Sequence, residues 1–218
     1  MDVARRRFTG GLIMLGTARD GMKVDVVTAD ASPLSSLAKA AHLDLLQRFS
    51  GHVVVPDAVY LEATHPGFER TYPAAAGRLA AWIDKGSKGG WLEIAETPAG
   101  RDFAALRRVS PEARVKNIGE LATFQYIQHY VEGTDRHAMV IYDNGSLMRM
   151  FKQAKLEMPD MNVTIETTLA FLEDCERCGL IASRDEVVEC IKAGERSFPQ
   201  HKAVSAVRKG RVSHDLER

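Results

Sequence analysis

A short β-branched run that closes on an acid and turns at once into a helix constrains this chain more than any other feature. Val24, Val26, Val27 and Ala29 form a buried-strand signal ending in Asp30. Ser32-Pro33 then supply an expected N-cap and first helical residue. The pattern recurs twice. Val53-Val54-Val55 precedes Pro56-Asp57, which opens a helix carrying Val59, Tyr60 and Glu62, and Met139-Val140-Ile141 runs into Asp143-Asn144-Gly145. Trp91 to Ala95 and Val163 to Ile165 read as two further strands. Apolar residues at helical spacing predict helices across 34–46, 73–85, 117–131, 147–155, 167–178 and 184–194. Pro98 to Lys116 reads as a polar, arginine-bearing stretch. Strands alternating with helices imply an α/β fold with a mainly parallel sheet and helices on both faces.

The 218 residues suit one core with appendages better than two full domains. The expected organisation is an N-terminal leader over 1–22, a core domain over 23–181, and a C-terminal helix with a polar tail over 182–218. Arg5, Arg6 and Arg7 ahead of Gly11 to Leu15 imitate a secretory signal, but the apolar run is shorter than the roughly 7 to 15 residues such a signal needs. Three clustered cysteines, Cys175, Cys178 and Cys190, do not frame a disulfide scaffold. A reducing, cytoplasmic setting is therefore expected, and no segment is long enough to span a membrane.

Lys+Arg and Asp+Glu balance at 29 each, so net charge names no partner. A local basic patch still matters for nucleic acids, and Arg101, Arg107, Arg108, Arg114 and Lys116 form one candidate RNA-binding stretch. The alternative is a solvated face balanced by Asp102 and Glu112. Cys175 and Cys178 have redox spacing inside a predicted helix without a second pair, which favours structural cysteines. The chain has no glycine-rich phosphate loop and no Asp-x-Asp beside the first strand.

Ligands of parallel α/β sheets bind outside the carboxyl ends of the strands. Asp30, Glu62, Glu120 and Asp143 each lie near a strand end or helix start and are the candidate catalytic and metal-holding residues. Oxygen ligands without His or Cys suit Mg²⁺ or Mn²⁺ better than zinc. Each acid also has a structural alternative. Asp30 could shape a turn, Glu62 could be solvated, Glu120 has capping-box spacing from Asn117, and Asp143-Asn144-Gly145 is a good turn sequence.

The stretch from Asp30-Ala-Ser-Pro-Leu to Val55-Pro-Asp-Ala-Val-Tyr-Leu-Glu62 resembles the opening of PIN-domain proteins, in particular a branch related to toxin ribonucleases of toxin–antitoxin pairs. Gly119-Glu120-Leu-Ala, Val140-Ile-Tyr-Asp143 and Val163 to Ile181 are similar to the later motifs. The resemblance implies a three-layer α/β/α sandwich and an Mg²⁺- or Mn²⁺-dependent endoribonuclease acting on RNA. It also implies a small antitoxin and a homodimer as expected partners. Asp30, Glu62, Glu120 and Asp143 would hold metal and activate water. Ser32 would orient Asp30, with Asn144 and Thr167 as further supporting residues. Three departures stand out: Asn144 where many members carry a second acid, Glu166 where a glycine is usual, and extra sequence between Gly86 and Lys116. They leave a weak or inactive RNA- or protein-binding module as the alternative.

Overall fold

Strand alternation decides the layering. Val26–Ala29 (β1), Val53–Pro56 (β2), Leu92–Ala95 (β3), Ala138–Tyr142 (β4) and Val163–Thr167 (β5) form one sheet in the order β3-β2-β1-β4-β5, with every neighbouring pair parallel. The computed structural model describes residues 23–132, 134–143, 145–157 and 161–196. The leader expected over 1–22, the end of the expected tail and Asn144 lie outside those residues. β1, β2 and β4 are buried along their whole length, which is why they read as continuous apolar runs rather than alternating ones.

Side chains leave the strands on two faces. Val27, Ala29, Val53, Val55, Met139 and Ile141 enter one core. That core is covered by Ala31–Ala40 (α1), Asp44–Ser50 (α2), Pro73–Gly89 (α5), Thr168–Arg177 (α9) and Arg184–Arg196 (α10). Val26, Val54, Val140 and Tyr142 enter the other, beneath Ile118–Val131 (α7) and Gly145–Glu157 (α8). Phe49 meets Phe171 edge-on at 5.2 Å in the first core, and Phe124 meets Phe151 at 5.3 Å in the second. Phe49, Phe171 and Phe151 are fully buried, and burying a side chain of this kind contributes roughly 1.5–3 kcal/mol. The result is the three-layer α/β/α sandwich. Among the described residues no helix is long and apolar enough to cross a membrane.

Three helical expectations change. The stretch predicted as one helix from Leu34 to Leu46 is two, broken at Ala41, whose φ of 60° lets the next N–H groups fold back onto the carbonyls of Ala38 and Leu37. Pro66–Thr71 (α4) is an additional short helix after Asp57–Ala63 (α3). The polar stretch begins with a real helix, Pro98–Val109 (α6): Thr97 Oγ1 caps the Gly100 N–H, proline occupies the first turn, and Phe103 is buried. A single large apolar residue on that face hid its periodicity. At the C-terminus, α10 packs against α1 through the first core, with Val187 buried.

Candidate active site at the switch point of the sheet

β2 and β3 extend the sheet on one side of β1, and β4 and β5 extend it on the other. The crevice of a parallel sheet opens where strand order reverses, here outside the ends of β1 and β4. Asp30 follows β1 directly and Asp143 follows β4 directly. The Asp30 N–H donates to the Ile141 carbonyl at 2.9 Å, which locks the two strand ends together. Asp30 is only 4% exposed. Its Oδ1 accepts from the Ala31 N–H at 2.8 Å, so Asp30 itself is the N-cap of α1. This corrects the expectation that Ser32-Pro33 cap that helix: the helix starts two residues earlier.

Two helices bring the remaining acids. Glu62 sits in the last turn of α3 and Glu120 in the first turn of α7, and the two helices pack against each other. Gly119 shows how closely the acids gather. A Cβ there would stand 2.3 Å from Glu62 Oε2, 3.2 Å from Asp30 Oδ1 and 3.3 Å from Val59 Cγ2. The two carboxylate oxygens are therefore at most about 5.5 Å apart, the sum of the first two distances. Glycine is the residue that leaves room for both.

Hydroxyls fix the other two acids. Ser146 Oγ, at the start of α8, donates to Glu120 Oε1 at 3.2 Å. Asp143 Oδ1 accepts from the Thr168 N–H at 3.2 Å and Oδ2 from Thr168 Oγ1 at 3.0 Å, while Ser32 Oγ donates to Oδ2 at 3.4 Å. Ser32 thus braces Asp143 rather than Asp30. Thr167 instead caps α9, accepting from the Ala170 N–H at 3.2 Å. The supporting threonine is its neighbour Thr168, which sequence reasoning missed by one position, and Ser146 was missed altogether. The turn alternative for Asp143 gives way to these long-range bonds. Asn117, the N-cap of α7 at φ 60°, makes no side-chain cap bond.

Charge accumulates in this crevice. Burial first, then the Glu120 charge, pushes the Asp30 carboxyl up to about 6, with Asp143 adding to the rise and the Ala31 N–H opposing it. Burial, then the charges of Asp30 and Glu120, pushes Glu62 up to about 7 against the Arg107 guanidinium. Burial and neighbouring carboxylates, Glu120 for both and Asp30 for Glu62, make both acids resist ionisation, the usual behaviour of carboxylates sharing a site.

Of the basic residues singled out in the sequence, Arg101, Arg108, Arg114 and Lys116 are exposed on α6 and the loop leading into α7. Arg107 is half-buried. Its Nη1 donates to the Leu61 carbonyl at 3.0 Å and its Nε to the Pro111 carbonyl at 3.0 Å, tying α6 to the end of α3. Asp57, another acid at a strand end, is engaged structurally. It accepts from Thr97 Oγ1 at 2.7 Å, from the Thr97 N–H at 3.2 Å and from the Ala58 N–H at 3.0 Å, joining α3 to α6.

Residues 26–108 match the family model DUF3368, a PIN domain. The matched stretch runs from β1 into α6 and so contains Asp30 and Glu62, whereas Glu120 and Asp143 lie beyond it. No curated protein and no solved structure matches the chain. PIN domains are generally nucleases and typically use divalent metals. Among the described residues, no group of three or more His, Cys, Asp or Glu forms a ready metal cage. The Asp30–Glu62 pair still fits a hard divalent cation: both donors are oxygens, both lie over the Gly119 cradle, and their mutual repulsion calls for a counter-charge. Magnesium is usually held by only one or two carboxylates together with water and substrate phosphate.

Proposed function

We propose that this PIN domain is an Mg²⁺- or Mn²⁺-dependent endoribonuclease that hydrolyses RNA phosphodiester bonds at the crevice between β1 and β4. The observation that carries the reading is the packing of Asp30 and Glu62 oxygens over Gly119, at the sheet position where α/β ligands bind. Asp30 and Glu62 would hold the cation, with Glu120 and Asp143 completing the acidic ring. When bound, such an ion activates water and neutralises charge developing on the phosphodiester. Thr168 and Ser32 orient Asp143, and Ser146 orients Glu120. Supporting bonds of this kind commonly set the affinity of a metal site. The exposed Arg101, Arg108, Arg114 and Lys116 would contact the phosphate backbone, which supplies most nonspecific affinity for nucleic acids. In this reading the chain is the toxin of a toxin–antitoxin pair, restrained by a small antitoxin protein, and it works as a cytoplasmic homodimer.

A second reading is a PIN-like module that binds RNA or a protein without cutting. Asn144 in place of an acid and the absence of a three-acid cage among the described residues favour it. Incubation of the purified chain with mixed RNAs in Mg²⁺ or Mn²⁺, with EDTA and Asp30→Asn as controls, separates the two. Cleavage abolished by both controls supports the nuclease. Binding without cleavage supports the module, and cleavage persisting in both controls removes the proposed site.

A further inference from the structure

Two fully buried threonines sit beneath the acids. Thr28 lies on β1 two residues before Asp30, and its register partners Val54 and Val140 both enter the core under α7. Lateral neighbours in a parallel sheet share a face, so Thr28 faces α7 as well. Thr123 belongs to the most buried stripe of α7, with Gly119 and Glu120 above it and Ile127 and Val131 below. α7 starts beside Asp30 and ends ahead of β4, so it runs antiparallel to β1. A Cβ on Gly119 would stand 3.2 Å from Asp30 Oδ1, which sets the level of the two elements. From there four residues of helix descend about 6 Å and two residues of strand about 6.6 Å. Thr123 therefore comes opposite Thr28, one layer below the contact of Gly119 with Asp30.

Both residues are 0% exposed, and neither hydroxyl has a hydrogen-bond partner among the described residues. A threonine inside a helix often returns its hydroxyl to the carbonyl four residues earlier, and Thr123 does not. The layer around the pair is otherwise apolar, with Val26, Val54, Val140 and Ile127. Valine has the shape of threonine and would fill either place, so two buried hydroxyls at one depth call for a shared partner. An internal water fits, because buried waters typically make about three hydrogen bonds to groups that otherwise lack them. Asp30 offers the third bond, since among the described residues its carboxylate accepts only from the Ala31 N–H, through Oδ1. We propose that Thr28 and Thr123 hold one internal water that donates upward to the Asp30 carboxylate, making both threonines positioning residues for that acid. The Ala31 N–H then fixes Asp30 from the side and the water from below, which aims the carboxylate at Glu62. The positioning role rests on the metal reading of Asp30 and Glu62, whereas the hydration of the pair does not.

Thr28→Val, Thr123→Val and the double variant provide the test, with Thr28→Ser and Thr123→Ser as variants that keep the hydroxyl. Urea denaturation of the full chain in EDTA gives the unfolding constants, and titration calorimetry without RNA gives the Mn²⁺ affinity. Each single valine variant is expected to raise the unfolding constant about fivefold, the scale of a lost buried hydrogen bond. The double variant is expected to raise it no further than either single one, because the two hydroxyls share one water. Mn²⁺ binding is expected to weaken about tenfold in all three valine variants, as on loss of a supporting bond, and to stay native in both serine variants. Valine variants as stable as the native chain or more so overturn the water, since hydroxyls that hold nothing are destabilising. Losses that add in the double variant overturn it too. With the native chain binding Mn²⁺, valine variants of unchanged affinity, or serine variants as weak as the valine ones, overturn the positioning role and leave the metal reading intact. A native chain that binds no Mn²⁺ overturns the metal reading and the positioning role together.

Discussion

Replacing Asp30 by asparagine should stabilise the metal-free protein at alkaline pH while removing its activity. The carboxyl is 4% exposed, and burial with the Glu120 charge raises it from 3.8 to about 6. A shift of roughly two units corresponds to about 3 kcal/mol of disfavour for the ionised form in the folded state. Asparagine keeps an oxygen for the Ala31 N–H and is an equally good N-cap, so the substitution isolates the charge. The sign follows from proton binding. Below about pH 4 the group is protonated in both states and the variant gains little. Between about pH 4 and 6 the unfolded chain releases the proton while the folded one keeps it, so native stability falls with each unit of pH. Above about pH 6 both states are ionised and the full penalty stands. Thermal melts in EDTA at about pH 8 should therefore place Asp30→Asn up to roughly 6–12 °C above the native chain, since a chain of this size shifts about 2–4 °C per kcal/mol. The gap should close near pH 4. Added Mg²⁺ should raise the native melting temperature and leave the variant's nearly unchanged, because only the native pair gains from binding. An Asp30→Asn variant that is less stable at about pH 8, or a gap independent of pH, would refute the claim that the acids are held together against their own repulsion.

Other perturbations probe the supports. Gly119→Ala puts a Cβ 2.3 Å from Glu62 Oε2 and should lower RNA cleavage at least about tenfold, as misplaced catalytic groups do. Its melting temperature should stay near native, because the displaced atom is the end of a flexible side chain. Thr168→Val removes the Oγ1 bond to Asp143 but keeps the backbone one; apparent Mg²⁺ affinity in a titration of activity is expected to drop about 10- to 100-fold. Gly100→Ala would place a Cβ 1.8 Å from Asp57 Oδ1, forcing the Asp57–Thr97 lock apart. Urea denaturation should register a loss of about 1–3 kcal/mol, the cost of leaving such buried polar groups unsatisfied.

The sheet was legible because its central strands are buried on both faces. Val26 to Ala29, Val53 to Val55 and Ala138 to Tyr142 have no solvent side to mark with polar residues, so each reads as an apolar run ending in an acid or a proline. The helices were legible where an apolar stripe repeats, as in α5 through Ala75, Leu79, Trp82 and Ile83. They were obscured where tertiary packing, not composition, sets the boundary. Ala41 ends α1 in a left-handed conformation that costs alanine about 1–2 kcal/mol, and nothing local in the sequence announces it. α6 is anchored by one phenylalanine and by a lock to Asp57 lying forty residues earlier in the chain.

The acids themselves were placed by their positions at strand ends and helix starts, but their partners were not, and the reason is geometric. A strand end fixes where its terminal residue sits, whereas a hydrogen bond depends on which way a side chain leaves the following turn. Thr167 and Thr168 are chemically identical and adjacent. Thr167 turns outward to cap α9, and Thr168 turns inward to Asp143. Ser32 likewise lies two residues from Asp30 but on the first turn of α1, so its hydroxyl faces across the crevice to β4 rather than back along its own strand. Glycine carried the missing information. Gly119, immediately before Glu120, is the position where a side chain would collide with Glu62 and crowd Asp30. Its place in the first turn of α7, where glycine weakens a helix by up to about 1 kcal/mol relative to alanine, is the sequence signal that two other acids converge there.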